Sequence, residues 1–217
     1  SPVKLKTAII GGSKVSTKLK LLNNLIKIFD TLIIGGAMAN TFLLAQGFNI
    51  GKSLVETDLA NDAKQILNNS NYYKTKVILP VDLVVANSIE DKIDIKIVDV
   101  ENFPPNQMAF DIGNQTIKLI KLSLLKSNII FWNGPLGVFE HKPFDNGTNQ
   151  VAKIIKDALQ KLNITTIAGG GDTVAAINKT KAEKGFTYIS TAGGAFLEWL
   201  EGKESPGLKA LKNNKKS

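Results

Sequence analysis

The sequence predicts an α/β protein whose core is a three-layer αβα, doubly wound and mainly parallel sheet. Two observations carry this prediction: short runs of β-branched and apolar residues recur along the chain, and segments with helical spacing separate them. Strands that alternate with helices of this size form βαβ units. Their right-handed crossovers wind helices onto both faces of one sheet.

Six runs are predicted as strands because their hydrophobicity is continuous and not alternating. Continuous apolar runs indicate strands that are buried on both faces, as in a parallel sheet. Five of the runs end in glycine, and the sixth is closed by Pro80. The runs lie at residues 7–12, 32–36, 76–80, 129–134, 166–171 and 188–194.

Three segments between these strands carry apolar residues at i, i+3, i+4 and i+7, which is typical of an amphipathic helix. They cover residues 22–29, 59–67 and 151–162, and Thr57 is predicted as the N-cap of the second one. Together with the strands they predict a Rossmann-like fold.

One stretch departs from this rhythm. Residues 93–100 alternate polar and apolar side chains, and Pro104 and Pro105 follow. Alternation predicts a half-buried strand, so we expect a small antiparallel excursion at the margin of the sheet. Since no linker rich in Pro, Ser or Gly divides the chain, one domain over residues 1–217 is expected.

Composition narrows the possible functions. The chain has 217 residues, 43% of them hydrophobic, and no cysteine, so a disulfide framework, a thiol nucleophile and a cysteine metal site are excluded. The one histidine, His141, excludes a histidine cluster and is expected at the surface. The apolar runs are too short to cross a bilayer and no signal-peptide core is present, so a cytoplasmic protein without a membrane partner is expected. The net charge of +8 suits an anionic small ligand, a nucleic acid or an acidic surface equally well.

Glycine at the strand ends points to phosphate binding. In open parallel sheets ligands bind beyond the carboxyl ends of the strands, where glycine lets an anion approach the backbone N–H groups. A single pair of glycines is more often simple turn chemistry, but several on one sheet edge favour a phosphate-bearing ligand.

Two familiar nucleotide-binding motifs are absent from the sequence. No Gly-x-Gly-x-x-Gly follows a strand, and Gly51-Lys52-Ser53 lacks the glycine that a P-loop needs at Gln46.

Six segments in fixed order resemble the signatures of the phosphoglycerate kinase family. The resemblance covers nearly the whole chain, and the combination is far more specific than any one piece. The segments are 11–18 (GGSKVSTK), 35–42 (GGAMANTF), 79–82 (LPVD), 132–140 (WNGPLGVFE), 169–173 (GGGDT) and 190–195 (STAGGA).

The resemblance implies reversible transfer of a phosphoryl group between 1,3-bisphosphoglycerate and Mg-ADP. It implies that Lys14 swings toward the transferring group, that Lys18 holds the nucleotide phosphates, and that Asp172 ligates Mg²⁺. Phosphoryl transfer depends on positioning and charge neutralisation, which suits two lysines opening a helix. Asp172 is also a candidate helix N-cap.

The same resemblance assigns the remaining contacts with ADP or ATP. Thr173 and Asn133 are expected on phosphate oxygens, Glu140 on the ribose hydroxyls, and Gly12 beside the nucleotide. Backbone N–H groups of Gly170, Gly171, Gly193 and Gly194 are expected to face the group in transfer, Gly171 and Gly194 as catalytic positions. The adenine slot is expected to be formed by Gly36, Leu54, Phe110, Pro135 and Val138.

The sequence departs from the family pattern at four positions. They are Ala192 for a glycine, Asn114 for a proline, Ala109 for a glycine and Ser205 for a leucine. We expect Ala192 to matter most, because its methyl group could tighten the loop that faces the phosphoryl group.

Length is the larger departure, because the resemblance covers only about the C-terminal half of the family's chain. The family's N-terminal domain, with its basic phosphoglycerate pocket and an arginine, is expected to be absent, and this sequence contains no arginine. The chain is expected to be a monomer that binds nucleotide without catalysing transfer alone.

Two alternative functions stay open: a non-catalytic nucleotide-sensing module of the same fold, and a nucleic-acid binder suggested by the pI of about 9.5. The second lacks an arginine-rich stripe and an aromatic stacking platform, so no nucleic-acid partner is expected.

Overall fold

The computed structural model describes residues 5–91, 93–161 and 164–191. Six strands in these residues form one parallel sheet, and each of the six predicted runs overlaps one of them. The six are β1 (Lys6–Ile10), β2 (Thr31–Ile34), β3 (Lys76–Ile78), β7 (Ile129–Asn133), β8 (Thr165–Gly169) and β9 (Tyr188–Ser190). The helices are α1 (Leu19–Ile28), α2 (Met38–Ala45), α3 (Ala60–Tyr72), α4 (Asn114–Leu124), α5 (Asn146–Lys161) and α6 (Gly171–Lys179).

The order of strands across the sheet is β3-β2-β1-β7-β8-β9. The chain therefore starts in the middle, winds outward to β3, returns to the middle at β7 and winds outward again. All the pairs are parallel, and β1 and β7 are neighbours in register from Lys6 with Ile129 to Ile10 with Asn133. The point between β1 and β7 is the topological switch point of a doubly wound sheet, where ligands of this fold bind.

Alternate side chains of the central strands enter two separate cores, which makes the three layers. Ile9 and Trp132 face the layer of α4, α5 and α6, whereas Ile10 and Phe131 face α1, α2 and α3. All four side chains are fully buried. Because both faces of the sheet are covered, the strands are apolar throughout, which is the pattern from which they were predicted.

The predicted small antiparallel excursion is confirmed, but its predicted position at the margin of the main sheet was wrong. Strand β5 (Lys96–Asp99) pairs antiparallel with β4 (Asp82–Ala86), and β6 (Met108–Ile112) pairs with the other side of β4. These three strands form a sheet of their own, not the margin of the main sheet. β4 lies outside the stretch that was predicted to alternate, and all five of its residues are buried.

The start of α3 also differs from the prediction. Thr57 begins a short 3-10 turn, Thr57–Leu59, and the α-helix starts at Ala60 with Leu59 in the capping position and no side-chain cap. Thr57 is therefore not an N-cap. The 3-10 turn tightens the entry of the chain into α3, a common use of such turns. The end of the third predicted helix, at Leu162, lies outside the described residues.

Candidate functional site

The loops that follow β1, β2 and β7 are joined by backbone hydrogen bonds at the switch point. The N–H of Gly11 donates to the carbonyl of Asn133 at 2.9 Å, and the N–H of Gly12 donates to the carbonyl of Pro135 at 3.0 Å. The N–H of Gly36 donates to the carbonyl of Leu136 at 3.0 Å. The glycine-rich strand ends therefore come together, as the sequence predicted, into one continuous rim.

Two of these glycines are required by the close approach of the backbones. A Cβ atom on Gly134, at φ +93°, would lie 2.3 Å from the carbonyl oxygen of Gly11. A Cβ atom on Gly36, at φ +69°, would lie 2.5 Å from the carbonyl oxygen of Gly12. Gly171 differs from them, because a Cβ atom there would meet nothing within 4 Å. Packing does not require glycine at position 171.

The side chain of Lys18 lies between the ends of β1 and β7. Its ammonium nitrogen donates to the carbonyl oxygen of Gly11 and, at 2.9 Å, to Oδ1 of Asn133. Burial lowers the pKa of Lys18 to about 8, and the nearby negative charge of Asp172 offsets part of that effect. The lysine at the switch point therefore holds its proton less firmly than an exposed lysine does.

Lys14 lies in the loop before α1, and its side chain is exposed. The prediction that Lys14 and Lys18 open a helix together was wrong, because α1 begins at Leu19 with Lys18 in its capping position. The two lysines are instead related by a turn, in which the N–H of Lys18 donates to the carbonyl of Val15 at 2.8 Å. Val15 is fully buried, which anchors the loop between the two lysines.

The N-terminus of α6 opens at the end of β8, next to Lys18. Gly170 is the N-cap residue, so Asp172 is not the cap; it lies in the first turn with an exposed side chain. The first N–H groups of a helix have no acceptor within the helix, and the helix dipole adds positive potential there. The start of α6 can therefore receive an anion, and an exposed carboxylate beside it can hold a hard cation bound to that anion.

Thr173 and Asn133, both predicted on phosphate oxygens, have buried side chains that bond within the protein. The hydroxyl of Thr173 accepts the N–H of Gly134 at 2.7 Å. The side-chain amide of Asn133 donates to the carbonyl of Gly169 at 2.7 Å, while its Oδ1 faces Lys18. In this conformation the two residues hold β7, β8 and α6 together around the lysine.

The residues predicted to form the adenine slot are brought around one rim. The N–H of Val138 donates to the carbonyl of Phe110 at 2.9 Å, and the N–H of Ala109 donates to Oγ of Ser53, next to Leu54, at 2.9 Å. Leu54 is 54% exposed, the most accessible apolar side chain of the set. The ring of Phe110 packs against that of Phe144, with centroids 4.8 Å apart and planes tilted by 38°, and this contact keeps it in place.

Other predicted positions are at the surface or outside the described residues. Glu140 is exposed in the turn that follows Val138, and His141 beside it is exposed as expected. Asn114, which replaces the family's proline, is the first residue of α4 and is exposed. The predicted positions Ala192, Gly193, Gly194 and Ser205 lie outside the described residues.

Sequence reasoning missed two carboxylates that support the site. Glu56 accepts the N–H groups of Val15 and Ser16 at 2.5 and 3.1 Å. Asp111, on β6, accepts the N–H of Gly147 at 2.7 Å at the start of α5. No local pattern marks either residue, because Val15, Ser16 and Gly147, whose N–H groups they accept, are at least 36 positions away in the chain.

Burial raises the pKa of Asp111 to about 8. The hydrogen bonds from Gly147 and Ile112 oppose this rise, and the negative charge of Asp145 adds to it. Asp145 itself is held by Lys179, whose ammonium lies 2.9 Å from its Oδ2. This carboxylate cluster fixes the far end of the loop that carries Pro135, Val138 and Glu140.

Two further features of the described part of the chain concern metal ions and membranes. No group of three or more His, Cys, Asp or Glu side chains there could hold a metal ion without another ligand. Among the same residues no helix combines the length and apolar character that a membrane span requires. A cleft of about 890 Å³ lies at the opposite edge of the sheet, where Leu5, Thr31 and Lys76 mark the starts of β1, β2 and β3. It is separate from the strand-end crevice.

Fold and site together define a doubly wound α/β protein with a glycine-lined, lysine-bearing crevice at its switch point. Comparison with known proteins identifies the family, since a family model described as phosphoglycerate kinase matches residues 1–203. The chain belongs to the phosphoglycerate kinase family.

Curated relatives named phosphoglycerate kinase include those of Chelativorans sp. (strain BNC1) and Xanthobacter flavus. The first is 48% identical over 210 residues, covering 97% of this chain and 53% of the relative. The second is 47% identical over 212 residues, covering 98% of this chain and 53% of the relative. The chain therefore spans about half the length of the curated relatives it matches.

Two solved structures agree with this assignment. The phosphoglycerate kinase from Coxiella burnetii matches with a TM-score of 0.89 and 41% identity, covering 98% of this chain and 54% of that one. The phosphoglycerate kinase from Pyrococcus horikoshii OT3 matches with a TM-score of 0.79 and 33% identity, covering 98% of this chain and 53% of that one. The α/β fold predicted from the sequence is confirmed.

Proposed function

We propose that this chain is the nucleotide-binding half of a phosphoglycerate kinase and holds Mg-ADP or Mg-ATP in the crevice between β1 and β7. The observation that carries the proposal is the position of Lys18. Its ammonium lies at the switch point, beside the N-terminus of α6 and within the electrostatic reach of Asp172. A cation and free helix N–H groups that converge at a strand-end crevice are what a polyphosphate requires.

Binding of the phosphates changes the partners of Lys18. In the structure its ammonium donates to carbonyl and amide oxygens, and the negative charge of Asp172 lies nearby. A charged phosphate oxygen is a stronger acceptor, so the ammonium of Lys18 gives up these hydrogen bonds and donates to the nucleotide. Asn133 and Thr173, which surround it, keep β7, β8 and α6 in place during this exchange.

Transfer of the phosphoryl group is assigned to residues that neutralise its charge. Lys14, which is exposed, is proposed to swing over the crevice, and Gly171, the first residue of α6, is proposed to offer its N–H to the group in transfer. Gly194, which lies outside the described residues, is assigned to the same set of donors by the family resemblance alone. Asp172 would hold Mg²⁺, which supplies neutralisation of the phosphate oxygens. Phosphoryl transfer proceeds through positioning and electrostatics more than covalent help, which such donors provide.

The purine and ribose are assigned to the rim formed by the loops after β2 and β7 and by β6. Leu54 and Phe110 offer apolar surfaces, with Gly36, Pro135 and Val138 completing the slot, and Glu140 accepts the ribose hydroxyls. A mostly apolar cleft with few polar groups is the usual site for such a ligand.

The activity of the complete enzyme is part of the same proposal, since this chain spans about half of its relatives. The reaction is the reversible phosphoryl transfer between 1,3-bisphosphoglycerate and Mg-ADP, a step of glycolysis in the cytoplasm. The 217 residues alone, as a monomer, are proposed to bind nucleotide without catalysing transfer. Enclosure of the substrates from water needs a second domain that closes on this one.

Calorimetric titration of the chain with Mg-ADP tests the proposal. Saturable binding is expected, and both Lys18→Ala and Asp172→Ala should weaken it by about tenfold or more. Lys20→Ala serves as the control, because Lys20 is an exposed lysine on α1 that faces solvent. Absence of binding by the folded chain would refute the proposed site. Conversion of 1,3-bisphosphoglycerate by the chain alone would refute the need for a second domain.

A further inference from the structure

The carboxylate of Glu56 gathers the loop that carries both predicted phosphate lysines. Its Oε2 accepts the N–H of Val15 at 2.5 Å and the N–H of Ser16 at 3.1 Å. Its Oε1 accepts the hydroxyl of Ser16 at 2.5 Å. Three donors from two successive residues therefore converge on one side chain that lies about 40 positions further along the chain.

Glu56 is itself fixed by α2. The hydroxyl of Thr41 accepts the N–H of Glu56 at 3.2 Å, and the side-chain amide of Asn40 donates to the carbonyl of Leu54 at 2.9 Å. Asn40 and Thr41 are both buried, each with 1% of its surface exposed. Since α2 starts at the end of β2, the segment from Leu54 to Glu56 is tied to the rigid part of the crevice.

The electrostatics of Glu56 agree with this contact. Partial burial acts to raise the pKa of Glu56, but the hydrogen bonds from Ser16 and Val15 and the positive charge of Lys14 outweigh it and hold the pKa below its ordinary value. The charged carboxylate is thus the form that the lysine loop stabilises. The charge of Lys14 is near enough to Glu56 to contribute.

Two parts of the proposed nucleotide site meet at this segment. Leu54, two residues before Glu56, is the most exposed of the apolar side chains in the adenine slot. Val15, held by Glu56, fixes Lys18 through the 2.8 Å bond from the N–H of Lys18 to its carbonyl. Thr17 adds a second bond inside the loop, from its hydroxyl to the carbonyl of Lys14 at 3.1 Å.

We propose that Glu56 is a positioning residue that holds the loop of Lys14 and Lys18 in register with the Leu54 segment, so that the phosphate and purine parts of the crevice fit one nucleotide. This proposal rests on the proposed nucleotide site. Glu56 contacts no ligand in this scheme and acts through Val15 and Ser16.

The test separates the two halves of the ligand. The 217-residue chain and its Glu56→Ala and Glu56→Gln variants are titrated with Mg-ADP, with inorganic pyrophosphate and with adenosine. Asp58→Asn is the matched control, because Asp58 is an exposed carboxylate in the next turn of the chain. Hydrogen exchange at the N–H groups of Val15 and Ser16 reports on the loop without any ligand.

Glu56→Ala is expected to weaken Mg-ADP and pyrophosphate by about tenfold, because two backbone donors lose a charged acceptor, while adenosine binding changes by less than about twofold. Glu56→Gln keeps one acceptor oxygen and should recover part of the loss. Exchange at Val15 and Ser16 should speed up in Glu56→Ala and stay unchanged in Asp58→Asn.

Three results would overturn the proposal. The first is that Glu56→Ala binds Mg-ADP with the affinity of the wild-type chain. The second is that its affinity for adenosine falls as much as its affinity for pyrophosphate, which would indicate a general loss of structure. Unchanged exchange at Val15 and Ser16 would show that Glu56 does not hold the loop. If the wild-type chain binds none of the three probes, the proposed nucleotide site itself fails. Hydrogen exchange at Val15 and Ser16 in the wild type and in Glu56→Ala still decides whether Glu56 holds the loop.

Discussion

The ammonium nitrogen of Lys18 lies 2.9 Å from Oδ1 of Asn133, across the gap between the ends of β1 and β7. The two residues are 115 positions apart in the sequence, and parallel pairing of β1 with β7 brings them together. Their contact marks the point where the two halves of the doubly wound sheet diverge. It also places a lysine with a lowered pKa where the proposed nucleotide phosphates bind.

Nucleotide binding should be accompanied by proton uptake at Lys18. Burial brings the pKa of this lysine to about 8, so at pH 8 about half of the free chains lack the proton. A bound polyphosphate raises that pKa again, and uptake of about half a proton per Mg-ADP is expected. Calorimetry at pH 8 in buffers with different ionisation enthalpies measures it.

Lys18→Met and Lys20→Met provide the comparison for this experiment. Lys18→Met should abolish the proton uptake, and Lys20→Met, on the exposed surface of α1, should preserve it. The same uptake in Lys18→Met would assign the proton to another group and contradict the prediction.

Gly134→Ala should cost more stability than Gly47→Ala, although the two glycines have nearly the same φ, +93° and +91°. A Cβ atom on Gly134 would lie 2.3 Å from the carbonyl oxygen of Gly11, whereas one on Gly47 meets nothing within 4 Å. Positive φ alone costs about 1–2 kcal/mol, and the clash adds about 1–3 kcal/mol. Urea denaturation measures both, and equal losses would show that the loops after β1 and β7 separate easily.

Asp111→Asn should change how stability depends on pH. Burial raises the pKa of Asp111 from 3.8 to about 8, so the folded chain binds more protons than the unfolded chain between these values. The contribution of Asp111 to stability is therefore full below pH 3.8 and is lost as the pH rises toward 8. Relative to Asp111→Asn, the free energy of unfolding of the wild type should fall by about 1 kcal/mol or more from pH 5 to pH 8.

Denaturation with urea across that pH range tests the prediction about Asp111. The difference between the two curves cancels the other titrating groups, which are the same in both proteins. Parallel curves would show that Asp111 keeps its charge when it is buried against Gly147.

Asp82→Ala should destabilise the fold by about 3 kcal/mol. The carboxylate of Asp82, on β4, accepts the N–H groups of Gln115 and Thr116 at 2.9 and 2.8 Å and the Thr116 hydroxyl at 2.6 Å. It therefore caps α4 from a distant strand, and its removal leaves buried donors without an acceptor.

Asp99→Ala is the control for the capping experiment. Asp99 is the cross-strand neighbour of Asp82 and is exposed, so its replacement should change stability by less than about 0.5 kcal/mol. Thermal unfolding of both variants measures the difference. Similar losses would mean that the cap contributes little.

The six parallel strands could be predicted from the sequence because burial on both faces leaves a local record. Ile9 and Ile10 must both be apolar, since one faces each core. The sequence pattern of the antiparallel strands is weaker. β4 is buried throughout and comes soon after Pro80, so its sequence does not distinguish it from a strand of the main sheet. Its antiparallel pairing with β5 and β6 is what shows a second sheet.

The sequence by itself determined the fold class and the family, because these depend on residue types at short spacing, and it predicted which glycines and lysines form the nucleotide site. The tertiary structure decided what those residues contact. Lys18 meets Asn133, Thr173 closes onto Gly134, and Glu56 holds Val15. A hydrogen bond between residues 39 to 115 positions apart is created by strand order and loop packing, and no local pattern encodes it.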